Sequence, residues 1–347
     1  MKSKYTPLFF IFIIMIFSMY NNYLAKDINS IYDNNWIKQL IFYIIGFLII
    51  YLINKFNTKK IFKFHYIIYS ISIIFLILVL LLGNEVNGAK AWFDLYFFSF
   101  QPSEFAKLSL AISLTKITID FNNKPYSEII YLIKITTLTL IPSLLVFIEP
   151  DTGAIIFFFI IFLTAFFSAK LSKFWYFIFA ITSFSILAIT CILYFFYQDI
   201  LINIIGTSIF YRVDRIINMG NNYQINNALT LIGSSLYFGS NNSLYVPEAP
   251  TDFMFAYNFG NCGLFGAITL SLAYFSFLLC IYYQSNIIKN NIFSKIFFYT
   301  LLFAIVYNIL MNLGCLPIMG IPLPFLSYGG SSLIFGFIFL AIHFKLI

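Results

Sequence analysis

Charged residues are scarce in this chain. Asp, Glu, Lys and Arg make up 10% of its 347 residues, and hydrophobic residues make up 61%. A soluble globular domain carries about 25% charged residues. The shortage of charge therefore excludes a domain folded in water and indicates a protein folded in lipid.

Cysteine, histidine and nucleotide-binding motifs are also nearly missing. The four cysteines show no CxxC spacing, and the two histidines, His65 and His343, lie far apart in the sequence. This pattern predicts neither a disulfide framework nor a protein metal site. No Walker-type glycine-rich loop is found, which argues against an ATP-driven pump.

The net charge of +7 does not indicate a nucleic-acid partner. The positive residues lie in short loops between apolar runs, where anionic membrane lipids are the expected partner. The N-terminus has a basic start and an apolar run, but no small-residue cleavage site follows. We therefore expect an uncleaved first helix.

Long apolar runs predict an all-α integral membrane protein. A spanning helix needs about 20 mostly apolar residues. Ten segments meet or approach this length, with 253–288 read as one helix and 296–344 divided in two by its prolines and glycines. The runs are 5–25, 39–54, 64–84, 102–119, 129–148, 152–169, 174–198, 253–288 and the two halves of 296–344.

The distribution of charge orients these ten helices. With the N-terminus in the cytoplasm, 13 of the 20 Lys and Arg fall inside, whereas ten of the 13 acidic residues fall outside. Cytoplasmic loops are enriched in Lys and Arg. We therefore expect both termini in the cytoplasm and a long extracytoplasmic loop, 198–253, between helices 7 and 8 of a single polytopic domain covering 1–347.

Glu104 and Lys107 are charged residues within a predicted span. Pro102 suits the first turn of a helix, and Glu104 suits its positive N-terminus. The two charged side chains are three residues apart and can pair on one face. Either they form a structural ion pair, or they face a polar cavity for an anionic substrate.

The long outer loop contains the chain's two arginines and two closely spaced carboxylates. Arg212 and Arg215 suit bidentate binding of phosphate, although contact with lipid headgroups would equally place them there. Glu248 and Asp252 directly precede a charge-free helix, where a carboxylate is often only a cap. Two prolines beside them restrict the backbone and would hold both carboxylates in place.

Taken in order, the polar clusters resemble the SEDS family (shape, elongation, division and sporulation). A basic, aromatic cluster that includes Lys90 and Trp92 opens the series, and a Gly-Pro-Ser segment that includes Ser327 closes it. The matching stretches are 88–92, 100–108, 149–153, 223–224, 247–253 and 320–332. The chain departs from the family pattern at Ala91, Ser235 and Asn261.

The resemblance implies a peptidoglycan glycosyltransferase in the bacterial cytoplasmic membrane, acting in cell elongation or division. Such proteins polymerise lipid II, a disaccharide-peptide on undecaprenyl pyrophosphate, at the outer face of the membrane, usually with a class B penicillin-binding protein. Asp252 matches the family's essential aspartate and is the candidate catalytic base. The candidate substrate-binding residues are Glu104, Lys107, Arg212, Arg215, Glu248, Lys90, Trp92 and Ser327.

Three alternatives stay open from the sequence. No cofactor is predicted with certainty, but a divalent cation could bridge the pyrophosphate. A lipid II flippase or other lipid transporter would use Glu104, Lys107 and Lys134 more than Asp252. A scaffold without activity, which only recruits its penicillin-binding partner, is the third reading.

Overall fold

A computed structural model describes residues 4–27, 29–56, 58–86, 89–95, 98–206, 210, 223–239, 246–287 and 291–347. Helices dominate it. They are α1 (Thr6–Leu24), α2 (Asn35–Lys55), α3 (Thr58–Lys63), α4 (His65–Leu82), α5 (Pro102–Asn123), α6 (Glu128–Ile148), α7 (Thr152–Ser168), α8 (Lys173–Phe196), α9 (Gln198–Ile205), α10 (Tyr223–Ser234), α11 (Met254–Ile287), α12 (Ile292–Asn312) and α13 (Gly330–Leu346).

Ten of these helices form the membrane bundle, as the sequence predicts. Seven of the described helices are long and apolar enough to cross a membrane by themselves, and α7 and α13 are shorter apolar helices. The tenth, α5, carries four charged residues, but most of its side chains are buried. It packs against α4, α6, α7, α12 and α13, so its polar residues face protein instead of lipid.

Both ends of the described chain lie on one side of the bundle. The Gln284 amide near the end of α11 donates to the Lys4 carbonyl oxygen at 3.1 Å. The Lys345 ammonium donates to the Asn54 carbonyl oxygen at 2.6 Å. These contacts agree with the predicted placement of both termini on the lysine-rich, cytoplasmic side.

Helix α11 is not the single continuous helix that the sequence predicts. Gly263 interrupts it with φ 66° and ψ −164°, a conformation that L-residues with a side chain rarely adopt. The amides after the break, those of Leu264 and Phe265, donate to the Leu236 and Tyr237 carbonyl oxygens at 3.2 Å. The break therefore forms where residues 236–239 of the long loop pack on the helix.

The long loop 198–253 contains helices that its sequence did not lead us to expect. Helices α9 and α10 lie within it, and Gly260 of α11 lies against Leu231 of α10. Arg212 and Arg215, predicted to bind substrate, lie outside the described residues.

A small antiparallel sheet covers the start of α5. Its strands are β1 (Asn84–Val86), β2 (Ala89–Asp94) and β3 (Ser99–Phe100), in the order β1-β2-β3. The Ser331 hydroxyl of α13 accepts from the Gln101 amide at 3.0 Å and donates to the Ser99 carbonyl oxygen at 2.8 Å. These two bonds fix the sheet to the bundle.

Candidate active site around Asp252

The proline-rich segment between α12 and α13, residues 317–328, is a non-helical stretch at the end of the bundle opposite the termini. Its carbonyl oxygens have no helical partners, and such groups need donors where water is excluded. Side chains from four helices supply them. The donor and acceptor pairs are Ser18 to Leu326, Gln39 to Ser327, Tyr43 to Phe325, Tyr274 to Pro324 and Tyr307 to Pro317.

Asp252 ends a tight turn that packs on this segment. Glu248 begins the turn with φ 56°, and its carbonyl oxygen accepts from the amides of Thr251 and Phe253 at 3.1 Å. The Thr251 hydroxyl also donates to the Glu248 carboxylate at 2.8 Å. The predicted restriction of this stretch is therefore real, and hydrogen bonds as well as prolines impose it.

Ser327 joins the turn to the proline-rich segment. Its hydroxyl donates to the Thr251 carbonyl oxygen and accepts from the Leu323 amide at 3.0 Å. Its side chain is buried. The structure therefore gives Ser327 a positioning role, and its predicted contact with substrate stays a prediction.

Two asparagines of α12 hold the backbone of Asp252. The Asn308 amide donates to the Asp252 carbonyl oxygen at 2.9 Å, and the Asn312 amide donates to the same oxygen at 3.1 Å. Asn308 also donates to the Ile321 carbonyl oxygen at 2.8 Å, which ties the turn to the proline-rich segment. This pair was not predicted, although two asparagines four residues apart in the charge-free run that begins at residue 296 are a usable signal.

The Asp252 carboxyl group lies in a crowded, electrostatically negative place. Burial, followed by the nearby charges of Glu248 and Asp151, raises its pKa to about 7. Loss of hydration and like charges both disfavour the ionised form. No described residue donates a hydrogen bond to this carboxylate. Gly320, with φ 63°, passes it so closely that a Cβ there would lie 4.0 Å from Oδ2.

Asp151 and Glu149 bring two more carboxylates into the region. Asp151 accepts from the Ala154 amide at 3.1 Å and so caps α7. Its other oxygen accepts from Gln101 at 2.9 Å and from Ser103 at 3.1 Å. Glu149, by contrast, is 1% exposed and neither carboxyl oxygen has a described partner. Burial and Asp151 raise the pKa of Glu149 to about 8.

The predicted pairing of Glu104 and Lys107 is confirmed. The Lys107 ammonium lies 2.7 Å from the Glu104 carboxylate and 4.3 Å from the centre of the Phe157 ring. Both charged groups line a cavity of about 100 Å³ whose other wall includes Pro322 and Pro324. The proline-rich segment therefore forms a wall of this cavity and also packs on the Asp252 turn.

The remaining predicted residues lie elsewhere. Lys90 is exposed on β2, and Trp92 is half-buried opposite Asn84 of β1, so their role in substrate binding stays a prediction. Lys134, which the transporter reading required in a polar cavity, is exposed on α6 with its ammonium over the Tyr126 ring. Long lysines reach the membrane surface in this way.

A half-buried carboxyl group with a pKa near 7 is suited to acid–base chemistry. A cavity lined by a fixed ammonium group is suited to a substrate that carries negative charge. The model of the FtsW, RodA and SpoVE family, described as cell cycle protein, matches residues 4–346. The chain belongs to this family.

Curated relatives agree with membership of the FtsW, RodA and SpoVE family. A probable peptidoglycan glycosyltransferase FtsW from Buchnera aphidicola is 30% identical over 88% of this chain and 78% of its own length. A counterpart from Wigglesworthia glossinidia is 29% identical over 86% of this chain and 79% of its own. Peptidoglycan glycosyltransferase MrdB from Helicobacter pylori is 28% identical over 88% of this chain and 81% of its own length.

Solved structures of similar chains share the fold of this family member. A chain from a structure described as the coordination of polymerization and crosslinking by a peptidoglycan synthase complex superposes with a TM-score of 0.80, covering 99% of this chain and 96% of that one, at 24% identity. Rod shape determining protein RodA from Thermus thermophilus superposes with a TM-score of 0.69, covering 99% of this chain and 95% of that one, at 25% identity.

Proposed function

We propose that the protein is a peptidoglycan glycosyltransferase that polymerises lipid II at the outer face of the bacterial cytoplasmic membrane. The observation that carries this proposal is the half-buried Asp252 carboxyl group, on a residue whose backbone carbonyl is fixed by Asn308 and Asn312. The names of the relatives, FtsW and MrdB glycosyltransferases, support the reaction class.

Asp252 acts as the general base in this proposal. Its carboxylate accepts the proton of the acceptor sugar 4-hydroxyl while that oxygen attacks the anomeric carbon of the donor sugar. The bond from that carbon to the pyrophosphate oxygen breaks, and undecaprenyl pyrophosphate leaves. A base is most effective when its pKa lies near the working pH, and the pKa of about 7 fits this role.

Lys107 faces the leaving group. A fixed ammonium in a water-poor cavity stabilises charge that develops on the departing phosphates. Because Glu104 already pairs with Lys107 at 2.7 Å, the substrate's pyrophosphate would share or replace that contact. Arg212 and Arg215 complete the cationic side in this proposal, on the strength of their residue type and their place in the outer loop.

A divalent cation would bind chiefly through the substrate. Carboxylate oxygens suit Mg²⁺, and Asp252 and Glu149 both have carboxylate oxygens without described donors. However, no three His, Cys, Asp or Glu among the described residues come together as a metal site. The pyrophosphate oxygens would therefore supply most of the ligands and bring the cation with them.

The proposed partner is a class B penicillin-binding protein, which would crosslink the strands that this protein polymerises. The chain superposes with a TM-score of 0.80 on a member of a peptidoglycan synthase complex. That likeness supports assembly with a crosslinking enzyme.

Polymerisation of purified lipid II, with and without that partner, tests the proposal. Asp252→Asn should abolish glycan strands, whereas Asp199→Asn, which neutralises an exposed carboxylate of α9, should leave them unchanged. Full activity of the Asp252→Asn protein would contradict the proposed base.

A transport function makes the opposite prediction. Headgroup translocation in liposomes would survive Asp252→Asn and fail with Lys107→Gln, because the Glu104–Lys107 pair lines a cavity between the membrane helices. Translocation by the wild-type protein without strand synthesis would overturn the glycosyltransferase proposal.

A further inference from the structure

A second cavity lies at the lysine-rich end of the bundle, away from Asp252. It measures about 530 Å³ and opens between α3, the last turns of α5 and the start of α12. Lys59, Lys63 and Lys116 line it, together with Thr115 and Asn291. Nothing in the proposed glycosyl transfer uses these five residues.

The cavity is positively charged. Three lysines contribute to it, and one of them, Lys116, pairs with Asp120 at 2.6 Å. Three positive charges less one negative charge leave a net +2 for these four groups. Basic pockets between membrane helices on the cytoplasmic side attract anionic headgroups.

Asn291 presents an unsatisfied donor in this cavity. Its side-chain oxygen accepts from the Ser294 amide at 3.2 Å and so caps α12. Its Nδ2 group is buried without a described partner, in a residue that is only 6% exposed. A buried amide donor left without an acceptor costs free energy that a bound acceptor would recover.

Thr115 carries a second polar group without a hydrogen-bond partner in this cavity. It is 1% exposed, and its Oγ1 has no described hydrogen-bond partner, unlike the hydroxyl of Thr118 one turn on, which donates to the Leu114 carbonyl oxygen at 2.7 Å. Two buried, unpaired polar groups and three lysines therefore line one cavity. Each unpaired buried group in a folded protein needs an explanation, and a bound ion is one that fits beside three lysines.

We propose that this cavity binds a phosphate group. A phosphate offers several acceptor oxygens, which can take hydrogen bonds from Asn291 Nδ2 and Thr115 Oγ1 while the lysines balance the charge. The phosphate can belong to a phospholipid of the adjacent leaflet or be free in the cytoplasm. Binding would fix α3 and the cytoplasmic ends of α5 and α12 relative to one another.

The experiment uses the full-length protein, purified and stripped of lipid. Native mass spectrometry measures retention of phosphatidylglycerol against phosphatidylcholine with the same acyl chains, and thermal melting measures stabilisation by inorganic phosphate. Asn291→Asp keeps the oxygen that caps α12 but replaces the donor with a negative charge. Thr115→Val removes the hydroxyl at nearly constant volume. Lys55→Gln removes an exposed lysine outside the cavity and is the matched control.

We expect the wild type to retain phosphatidylglycerol over phosphatidylcholine, or to be stabilised by phosphate, and Asn291→Asp to weaken the observed binding by about tenfold or more. Lys63→Gln should weaken it about fivefold, and Lys55→Gln should leave it unchanged. Preference for phosphatidylglycerol without an effect of phosphate identifies a lipid; the reverse identifies a free anion.

Two results would overturn the proposal. One is equal retention of both lipids together with no stabilisation by phosphate. The other is binding by Asn291→Asp and Thr115→Val that equals wild-type binding, since the anion would then contact other residues. The melting temperature of Asn291→Asp without ligand, compared with wild type, separates lost binding from misfolding, and Thr115→Val tests the same site without burying a charge.

Discussion

The side-chain amide of Asn308 donates at once to the carbonyl oxygen of Asp252 and to that of Ile321, at 2.9 and 2.8 Å. One α12 residue thus fixes the turn that carries the proposed base and the proline-rich segment that faces it. The distance between the base and the opposite wall therefore depends on Asn308.

Asn308→Ala should lower kcat by about 100-fold, with little change in KM, because a misplaced catalytic group can cost about that factor. Steady-state polymerisation kinetics measures both constants. Asn22→Ala is the control, since Asn22 is a buried amide that donates only within α1. An Asn308→Ala protein with wild-type kcat would show that the contact does not position the base.

The pH dependence of polymerisation should report the ionisation of Asp252. Its pKa is raised to about 7, so the reactive carboxylate form disappears as pH falls. We expect kcat/KM to rise about tenfold per pH unit below pH 7 and to level off above it. Glu248→Gln removes a nearby negative charge that raises this pKa, so it should move the midpoint to lower pH. A flat profile between pH 5 and 8 would contradict the assignment.

Glu149 should make the protein less stable at high pH. Its folded-state pKa of about 8 lies above its ordinary value of 4.5, so the folded state holds a proton that the unfolded state releases between these two values. Stability therefore falls as pH rises from 4.5 to 8. Glu149→Gln cannot ionise and should be about 2–4 kcal/mol more stable than wild type at pH 8 and above.

Thermal melting of both proteins at several pH values measures this difference. At pH 4.5 the two proteins should melt at similar temperatures, since both then carry a neutral side chain. Equal pH dependence in the two proteins would show that Glu149 is not the titrating group.

Gly263→Ala should destabilise the protein strongly. A Cβ there would lie 2.3 Å from the Gly239 amide nitrogen and 2.5 Å from the Leu236 carbonyl oxygen, at a φ of 66°. Gly233 of α10 is the matched control, because a Cβ added there would have nothing within 4 Å. Gly233→Ala should leave the melting temperature unchanged or raise it slightly. A Gly263→Ala protein that melts like wild type would show that the break accepts a side chain.

The periodic and compositional features of the sequence were enough to predict the bundle. The ten helices follow from apolar length, and the shared side of both termini follows from the distribution of lysine. The Glu104–Lys107 pair follows from helical spacing alone, because residues three apart lie on one face. These features depend on neighbours in sequence, so a reading of the sequence reaches them.

Features that depend on distant partners were not predictable in this way. Hydropathy through residues 253–288 is continuous, so the break at Gly263 becomes visible only when Leu236 and Tyr237 pack beside it. The two asparagines of α12 can hold the Asp252 backbone only because that helix faces the Asp252 turn. Lys107 and Lys134 each lie within a predicted membrane span. Lys134 faces lipid, whereas Lys107 faces protein.

The side-chain donors that hold the proline-rich segment include three tyrosines, Tyr43, Tyr274 and Tyr307. In a protein with 46 Phe and 25 Tyr, exchange between these two residues needs a single base change and usually alters little. At each of these three positions, a change from Tyr to Phe would leave a carbonyl oxygen of the proline-rich segment without its donor. Random drift between Phe and Tyr in an aromatic-rich gene is therefore constrained at three helix positions that carry no charge and take no direct part in the proposed chemistry.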